Sequence, residues 1–185
     1  MSVEESRQEL ERGDEAPDFE LPATDGTTYA LDDFMDFDAL LVVFTCNHCP
    51  YAEAKVDEMK RLDQEYEDLA VVGINPNDAD DYPEDSFEKM QEFVEERGIQ
   101  YTYLRDESQE VAEAYGAVCT PDPFLFRREG EGFVLAYHGR FDDSLNPDDE
   151  PTTFHMEQAV EQVLAGEEVD LEFLPSRGCS IKWRD

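Results

Sequence analysis

The sequence predicts an α/β domain with a central mixed β-sheet flanked by helices and a β-hairpin near its amino-terminal end. Three observations lead there. Two continuous apolar runs, ALLVVFT (39–45) and DLAVVGIN (68–75), flank a segment with apolar residues at helical spacing. Strand, helix and strand in that order form a βαβ unit, which pairs its strands in parallel. Further on, PFLFRREGEGFVLAYHGRF reads as two β-rich runs joined at Glu129-Gly130-Glu131-Gly132. If PFLFRR runs antiparallel to the first pair, the sheet is mixed. A chain of 185 residues suits one domain with short appendages. We divide it into a polar lead-in (1–11), the domain proper (12–170) and a tail that packs on it (171–185).

Residues 1 to about 14 show no clear packing face. DFELPATDGTTYAL then gives two short alternating runs around Thr24-Asp25-Gly26, a hairpin signal. ALLVVFT is apolar at every position, as a strand covered on both faces must be. Ala52, Val56, Met59, Leu62 and Tyr66 recur at helical spacing after it. NPNDADDYPED carries turn chemistry. Ser86 opens a helix with Phe87, Met90, Phe93 and Val94 on one face, and Gly98 closes it. QYTYLRD reads as a short edge strand and SQEVAEAYGAV as a short helix. A last helix runs from Thr153 to about Leu164. The ending LEFLPSRGCSIKWRD is irregular, with Trp183 as its expected anchor.

Asp and Glu number 48 against 14 Lys and Arg, a formal net charge of −34. Such a surface repels phosphates and anionic lipid, so nucleic acid and membranes are excluded as general partners. The acids are spread along the chain, which suits a protein built for molar salt, where screening removes self-repulsion. The start is acidic, with no apolar leader, and no apolar run approaches the roughly 18 residues a span requires. The expected location is the cytoplasm. In a reducing compartment, four cysteines read as reactive or metal-bound sooner than as a scaffold.

Cys46 and Cys49 stand three apart in FTCNHCP, at the end of a strand and the start of a helix. Residues at i and i+3 on a helix lie about 5–6 Å apart, within the reach of a disulfide. Pro50 has no N–H, so it belongs in a first turn and sets the helix start near Asn47. Both sulfurs then face unpaired amides at the positive helix end, which favours thiolate, and a protonated His48 adds to this. Zinc would need two more ligands at recognisable spacing. Cys119 and Cys179 are solitary, and His138 and His155 form no H-x3–5-H pair. No metal and no cofactor is expected. Functional groups gather at the carboxyl ends of parallel strands, so Asn75 should lie beside the site. An antiparallel PFLFRR would bring Cys119-Thr120-Pro121-Asp122 to the same edge.

FTCNHCP after a buried strand, with VCTPDPFLF some seventy residues later, resembles the thioredoxin-like superfamily. The likeness is strongest to its redoxin, or AhpC/TSA, branch. GDEAPDFELPATDGTTYAL, VVGINPND, HGRFDDS and GCSIKW are similar to phrases of that branch, over roughly residues 12 to 184. The resemblance implies a thioredoxin-like fold and a cis proline at Pro121, preceded by Thr120, whose backbone would pair with a substrate polypeptide. Thr45 stands where the superfamily usually has tryptophan, and Asn47-His48 where it has Gly-Pro. In the peroxiredoxin register, Val42 and Cys46 replace the usual proline and threonine ahead of Cys49, and no arginine precedes FLF.

The expected function is thiol–disulfide exchange, with protein or small-thiol disulfides as substrates and a cellular dithiol as electron partner. Cys46, expected to be the more exposed sulfur, attacks, and Cys49 resolves. The alternatives are a thiol peroxidase with Cys49 peroxidatic and Cys46 resolving, and a non-catalytic redox-sensing or metal-holding module. Cys119 either faces the pair or is a small buried hydrophobe. Cys179 could resolve from a mobile tail, but simple packing of the tail is the preferred reading. His138 and His155 are expected to be structural or exposed, and the acidic loop 78–85 is read as a solvated surface in preference to a hard-cation site.

Overall fold

The computed structural model describes residues 2–185. In chain order, β1 (Val3–Glu5) is followed by the hairpin strands β2 (Glu20–Pro22) and β3 (Thr28–Ala30), and by β4 (Ala39–Phe44). A short α1 (Pro50–Glu53) and α2 (Val56–Glu65) lead to β5 (Leu69–Asn75) and α3 (Phe87–Arg97). Then come β6 (Thr102–Arg105), α4 (Glu110–Tyr115), β7 (Cys119–Thr120), β8 (Asp122–Glu129) and β9 (Gly132–His138). The chain closes with α5 (His155–Leu164) and β10 (Arg177–Ser180).

The central sheet has the order β6-β5-β4-β8-β9. β4 pairs in parallel with β5, and β5 with β6, while β8 runs antiparallel to β4. The parallel pairs are therefore as the βαβ spacing predicts, and the mixed sheet matches the thioredoxin-like plan that the resemblance implies. Successive side chains of a strand point to opposite faces. Leu40, Val42 and Phe44 thus join one core with the β2–β3 hairpin residues and Tyr115 of α4. Ala39, Leu41 and Val43 join the other, under Met59 and Leu62 of α2 and Met156 and Val160 of α5. Every residue of β4 is buried. Ser86 caps α3 by accepting the Lys89 N–H, and Gly98 closes it at φ 62°.

Three departures have physical reasons. The lead-in is not without partners: β1 pairs with β10, Val3 opposite Cys179. Its side chains are mostly exposed, so the pairing uses backbone groups and leaves no hydrophobic period to read. The tail is no irregular segment either, since β10 also pairs with β7. Its anchor is Ile181, which is buried in the larger core. Trp183 is 41% exposed. Lastly, the helix begins at Pro50 with Cys49 as N-cap, not near Asn47, and it breaks at Ala54 before α2. Proline suits the first helical position, and that is where it sits.

Candidate active site

β4 delivers Cys46 just past its carboxyl end, and Cys49 is the N-cap of α1, so the pair sits at the strand–helix junction. Both cysteines are only 1% exposed. They pack with Ala52, Tyr51 and Cys179 in a small cluster of their own. The disulfide here joins Cys49 to Cys179, across 130 residues, and leaves Cys46 as a thiol. The tail thus does more than pack. Strand register explains the choice: Cys179 lies opposite Thr120, so the two side chains share a face. Thr120 Oγ1 is 3.4 Å from Cys46 Sγ, and its carbonyl oxygen is 3.7 Å from Cys49 Sγ. Cys119, one residue earlier, points to the other face. It is a buried thiol, pushed far up by burial and by the charge of Asp122, and stands apart from the Cys46 cluster. The Thr120–Pro121 bond is cis.

The expectation that Cys46 is the exposed, low-pKa sulfur is corrected. Burial, and then the charge of Asp85, push its thiol up to about 12. Thr120 Oγ1 and the N–H groups of His48 and Cys49 oppose that rise, as the helix-end geometry suggested, but they are outweighed. The Asn47 N–H does not join them. It donates to Asp85 Oδ1 at 2.8 Å.

Asp85 was hidden in the acidic loop. It is fully buried, not part of a solvated surface, and Asp78 in the same loop is buried too. Asp85 Oδ1 also accepts from Asn75 Nδ2 at 3.1 Å, and Oδ2 from Asn77 Nδ2 at 3.0 Å. His48 Nδ1 lies 2.5 Å from Oδ2 as an ion pair without in-line hydrogen-bond geometry. Burial alone would raise the Asp85 carboxyl, but His48, Asn77 and the Asn47 N–H together hold it below its usual range. His48 is raised in turn by Asp85. Asn75 therefore reaches the site through Asp85, and Asn47 does so with its backbone. The Asn47 side chain is engaged by Tyr103 Oη, which donates to it at 2.7 Å, and by the Glu84 carbonyl.

Arg105 and Gln109 were also missed. Arg105 donates to the carbonyls of Asn75 and Asn77, and Gln109 to those of Pro76 and Lys182. Both are buried polar side chains on elements that looked like ordinary edge strand and short helix. The only signal was their company in RDESQE. The donor atoms of Cys46, His48 and Asp85 lie within 4.8 Å of one another and could take a cation. His138 and His155 are buried. His138 Nε2 is 2.6 Å from Asp122 Oδ1, and its ring stacks on Phe124.

Residues 12–134 match the AhpC/TSA family. Among curated proteins, "Putative peroxiredoxin bcp" of Helicobacter pylori is 28% identical over 112 residues, 60% of this chain and 68% of that one. A solved structure of an uncharacterized conserved protein from Geobacillus kaustophilus is 39% identical, with a TM-score of 0.92, covering 100% of this chain and 97% of that one. A hypothetical protein from Sinorhizobium meliloti 1021 is 40% identical at a TM-score of 0.90, covering 97% and 98%. A thiol:disulfide interchange protein DsbE from Chlorobium tepidum, titled putative, shares the fold at 23% identity and a TM-score of 0.61, covering 85% and 97%. With a thioredoxin-like sheet, a thiol cluster at its carboxyl edge and this match, the chain belongs to the AhpC/TSA family of redoxins.

Proposed function

We propose that this redoxin is a thiol–disulfide oxidoreductase acting on disulfides of polypeptides or small thiols, with a cellular dithiol as its reductant. One observation carries the reading. Cys49 is already in a disulfide while its Cys-x-x-Cys partner, Cys46, is a thiol in the same cluster. A dithiol first reduces Cys49–Cys179. Cys46 thiolate then attacks one sulfur of the substrate disulfide, and the other substrate sulfur leaves as a thiolate that takes a proton. Cys49 thiolate attacks Cys46 Sγ, forming Cys46–Cys49 and releasing the second substrate thiol. The substrate gains two electrons and the pair loses two. His48 and Cys49 N–H groups aimed at Cys46 support its part as attacking sulfur, once its burial is relieved. No helix among the described residues is long and apolar enough to cross a membrane. We place the reaction in the cytoplasm, where a dithiol pool is at hand.

Trapping tests this. In a Cys49→Ser, Cys179→Ser chain, a protein disulfide should accumulate as a mixed disulfide through Cys46. In Cys46→Ser none should form there and exchange should be lost. Adducts on Cys49 alone would reject the assignment.

A second reading has its own support, because Cys49–Cys179 is also the product a peroxidase would leave. Cys49 thiolate would attack a peroxide oxygen, becoming a sulfenic acid and releasing water or alcohol. Cys179 thiol would then condense with it, losing water. The curated relatives carry a peroxiredoxin name. Cys179, not Cys46, would then resolve. Peroxide consumption by Cys46→Ser, with a sulfenic acid on Cys49 in Cys46→Ser, Cys179→Ser, would favour this reading over exchange.

A further inference from the structure

The two sulfurs that must meet a substrate are shut away, and the shutter is identifiable. β10 lies on β7, with Cys179 opposite Thr120 and Ser180 opposite Cys119. Ser176 Oγ donates to the Pro121 carbonyl at 2.6 Å, and the Ile181 N–H to the Val118 carbonyl at 2.9 Å. The strand thus occupies the edge that flanks Cys46 and Cys49, and its Cys179 fills the cluster around them. Contact with β7 is so close that a Cβ on Gly178 would lie 1.9 Å from the Thr120 carbonyl oxygen. Only glycine lets the strand seat.

We propose that β10 is a redox-locked gate, with Cys49 as a two-way switch bonded either to Cys179, gate shut, or to Cys46, gate free. The inference rests on the exchange reading above and supplies its regulation. The switching step needs no outside oxidant or reductant. Cys46, as thiolate, attacks Cys49 Sγ. The Cys49–Cys179 bond breaks, the Cys46–Cys49 bond forms, and Cys179 leaves as a thiolate that takes up the proton Cys46 gave away. A dithiol frees the strand too, by reducing Cys49–Cys179 to two thiols while being oxidised itself. With the covalent tie gone, β10 is held by non-covalent contacts alone: its pairing with β1 and β7, the buried Ile181 and the Lys182 hydrogen bonds. A short three-stranded unit of this kind can open locally while the central sheet stays closed. Its departure uncovers both sulfurs and the β7 edge together.

The full-length chain tests this by hydrogen–deuterium exchange, oxidised and after reduction by a phosphine. The amide of Ile181 should exchange about tenfold faster or more on reduction, as local opening requires, while the β4 amides stay protected. Gly178→Ala should keep β4 protected but leave Ile181 unprotected. Peptide mapping without reductant should find Cys46–Cys49 there in place of Cys49–Cys179. Unchanged Ile181 protection on reduction, or a Gly178→Ala chain with the wild-type disulfide and protection, would overturn the gate. Exchange assays separate the two claims. A gate that opens on a chain inactive toward every disulfide sinks the exchange reading alone. Normal exchange with Ile181 still protected sinks the gate alone.

Discussion

Replacing Asp85 with asparagine perturbs the site at its most buried charge, and the structure allows the cost to be worked out. The side-chain oxygen of the variant can keep Oδ1's two donors, Asn47 N–H and Asn75 Nδ2. Its amide group then stands where Oδ2 was, facing Asn77 Nδ2 and His48 Nδ1. His48 can answer by giving up its charge. Asn77 cannot turn over, because its Oδ1 accepts the Lys182 N–H at 2.9 Å. One buried donor is left unsatisfied, which costs about 1–3 kcal/mol. For a chain of this size a central value of about 2 kcal/mol lowers the thermal midpoint by about 4–8 °C.

The pH dependence carries a sign. The Asp85 carboxyl is held below its usual range, so its stabilisation is full above the unfolded value of about 3.9 and fades as pH falls through the lower, folded one. His48 is raised, so its share is full below about 6.5 and fades as pH rises through its higher, folded value. The gap between wild type and Asp85→Asn should therefore be widest from about pH 4 to 6.5 and narrow on both sides. Thermal melts of both chains across pH 3–9 at constant high salt provide the measurement. A gap that is absent at pH 6, or that widens toward pH 9, would refute the network as drawn.

Other expectations follow from the same coordinates. Lowering ionic strength from about 1 M to 0.01 M lengthens screening from about 3 to 30 Å, so with a net charge of −34 the thermal midpoint should fall. A midpoint unchanged or higher in dilute buffer would contradict a chain suited to molar salt. Ser86→Ala removes the α3 cap and should cost about 1 kcal/mol in denaturant unfolding; no loss would mean the cap is idle. Leu40→Ala, at a fully buried β4 position, should cost about 2–5 kcal/mol by the same measurement. Asp85→Asn should also lower the Cys46 thiol, since the Asp85 charge helps raise it. Alkylation rates against pH in Cys49→Ser, Cys179→Ser, with and without Asp85→Asn, would show a shift to lower pH or disprove one.

The sheet was legible because its strands are wholly apolar and its helices carry clean stripes. ALLVVFT announces burial on both faces, and Ser86 and Gly98 mark α3 by their chemistry alone. The ends of the chain were not legible, because β1 and β10 hold on through backbone groups, which have no side-chain signature. Within the site, Cys46, Cys49, Thr120 and Pro121 were found through spacing and resemblance. Asp85 was not. Among 48 acids, one buried carboxylate looks like its neighbours, and what distinguishes it is three amides converging from Asn47, Asn75 and Asn77. Nor could local spacing show that Cys49 would bond Cys179 sooner than Cys46. That pairing depends on β10 lying against β7, a contact between chain segments far apart in sequence.

The tail and the buried carboxylate are parts of one device. The Lys182 N–H donates to Asn77 Oδ1, and the Lys182 carbonyl accepts from Asp78 N–H and Gln109 Nε2. Asn77 in turn donates to Asp85 Oδ2. Docking of the chain end beyond β10 therefore orients the amide that helps keep Asp85 ionised, and that charge is one reason Cys46 stays a thiol. The other and larger reason is burial, which the same strand imposes through Cys179. Seating the tail raises the Cys46 thiol twice, by covering it and by fixing a negative charge beside it. Lifting the tail, as the gate proposal requires, would remove the cover and the Lys182 bond to Asn77, while the His48 and Cys49 N–H groups that favour thiolate belong to the strand–helix junction and would remain. On the gate proposal, a closed chain is protected from adventitious thiol chemistry, and an open one is armed by groups already in place.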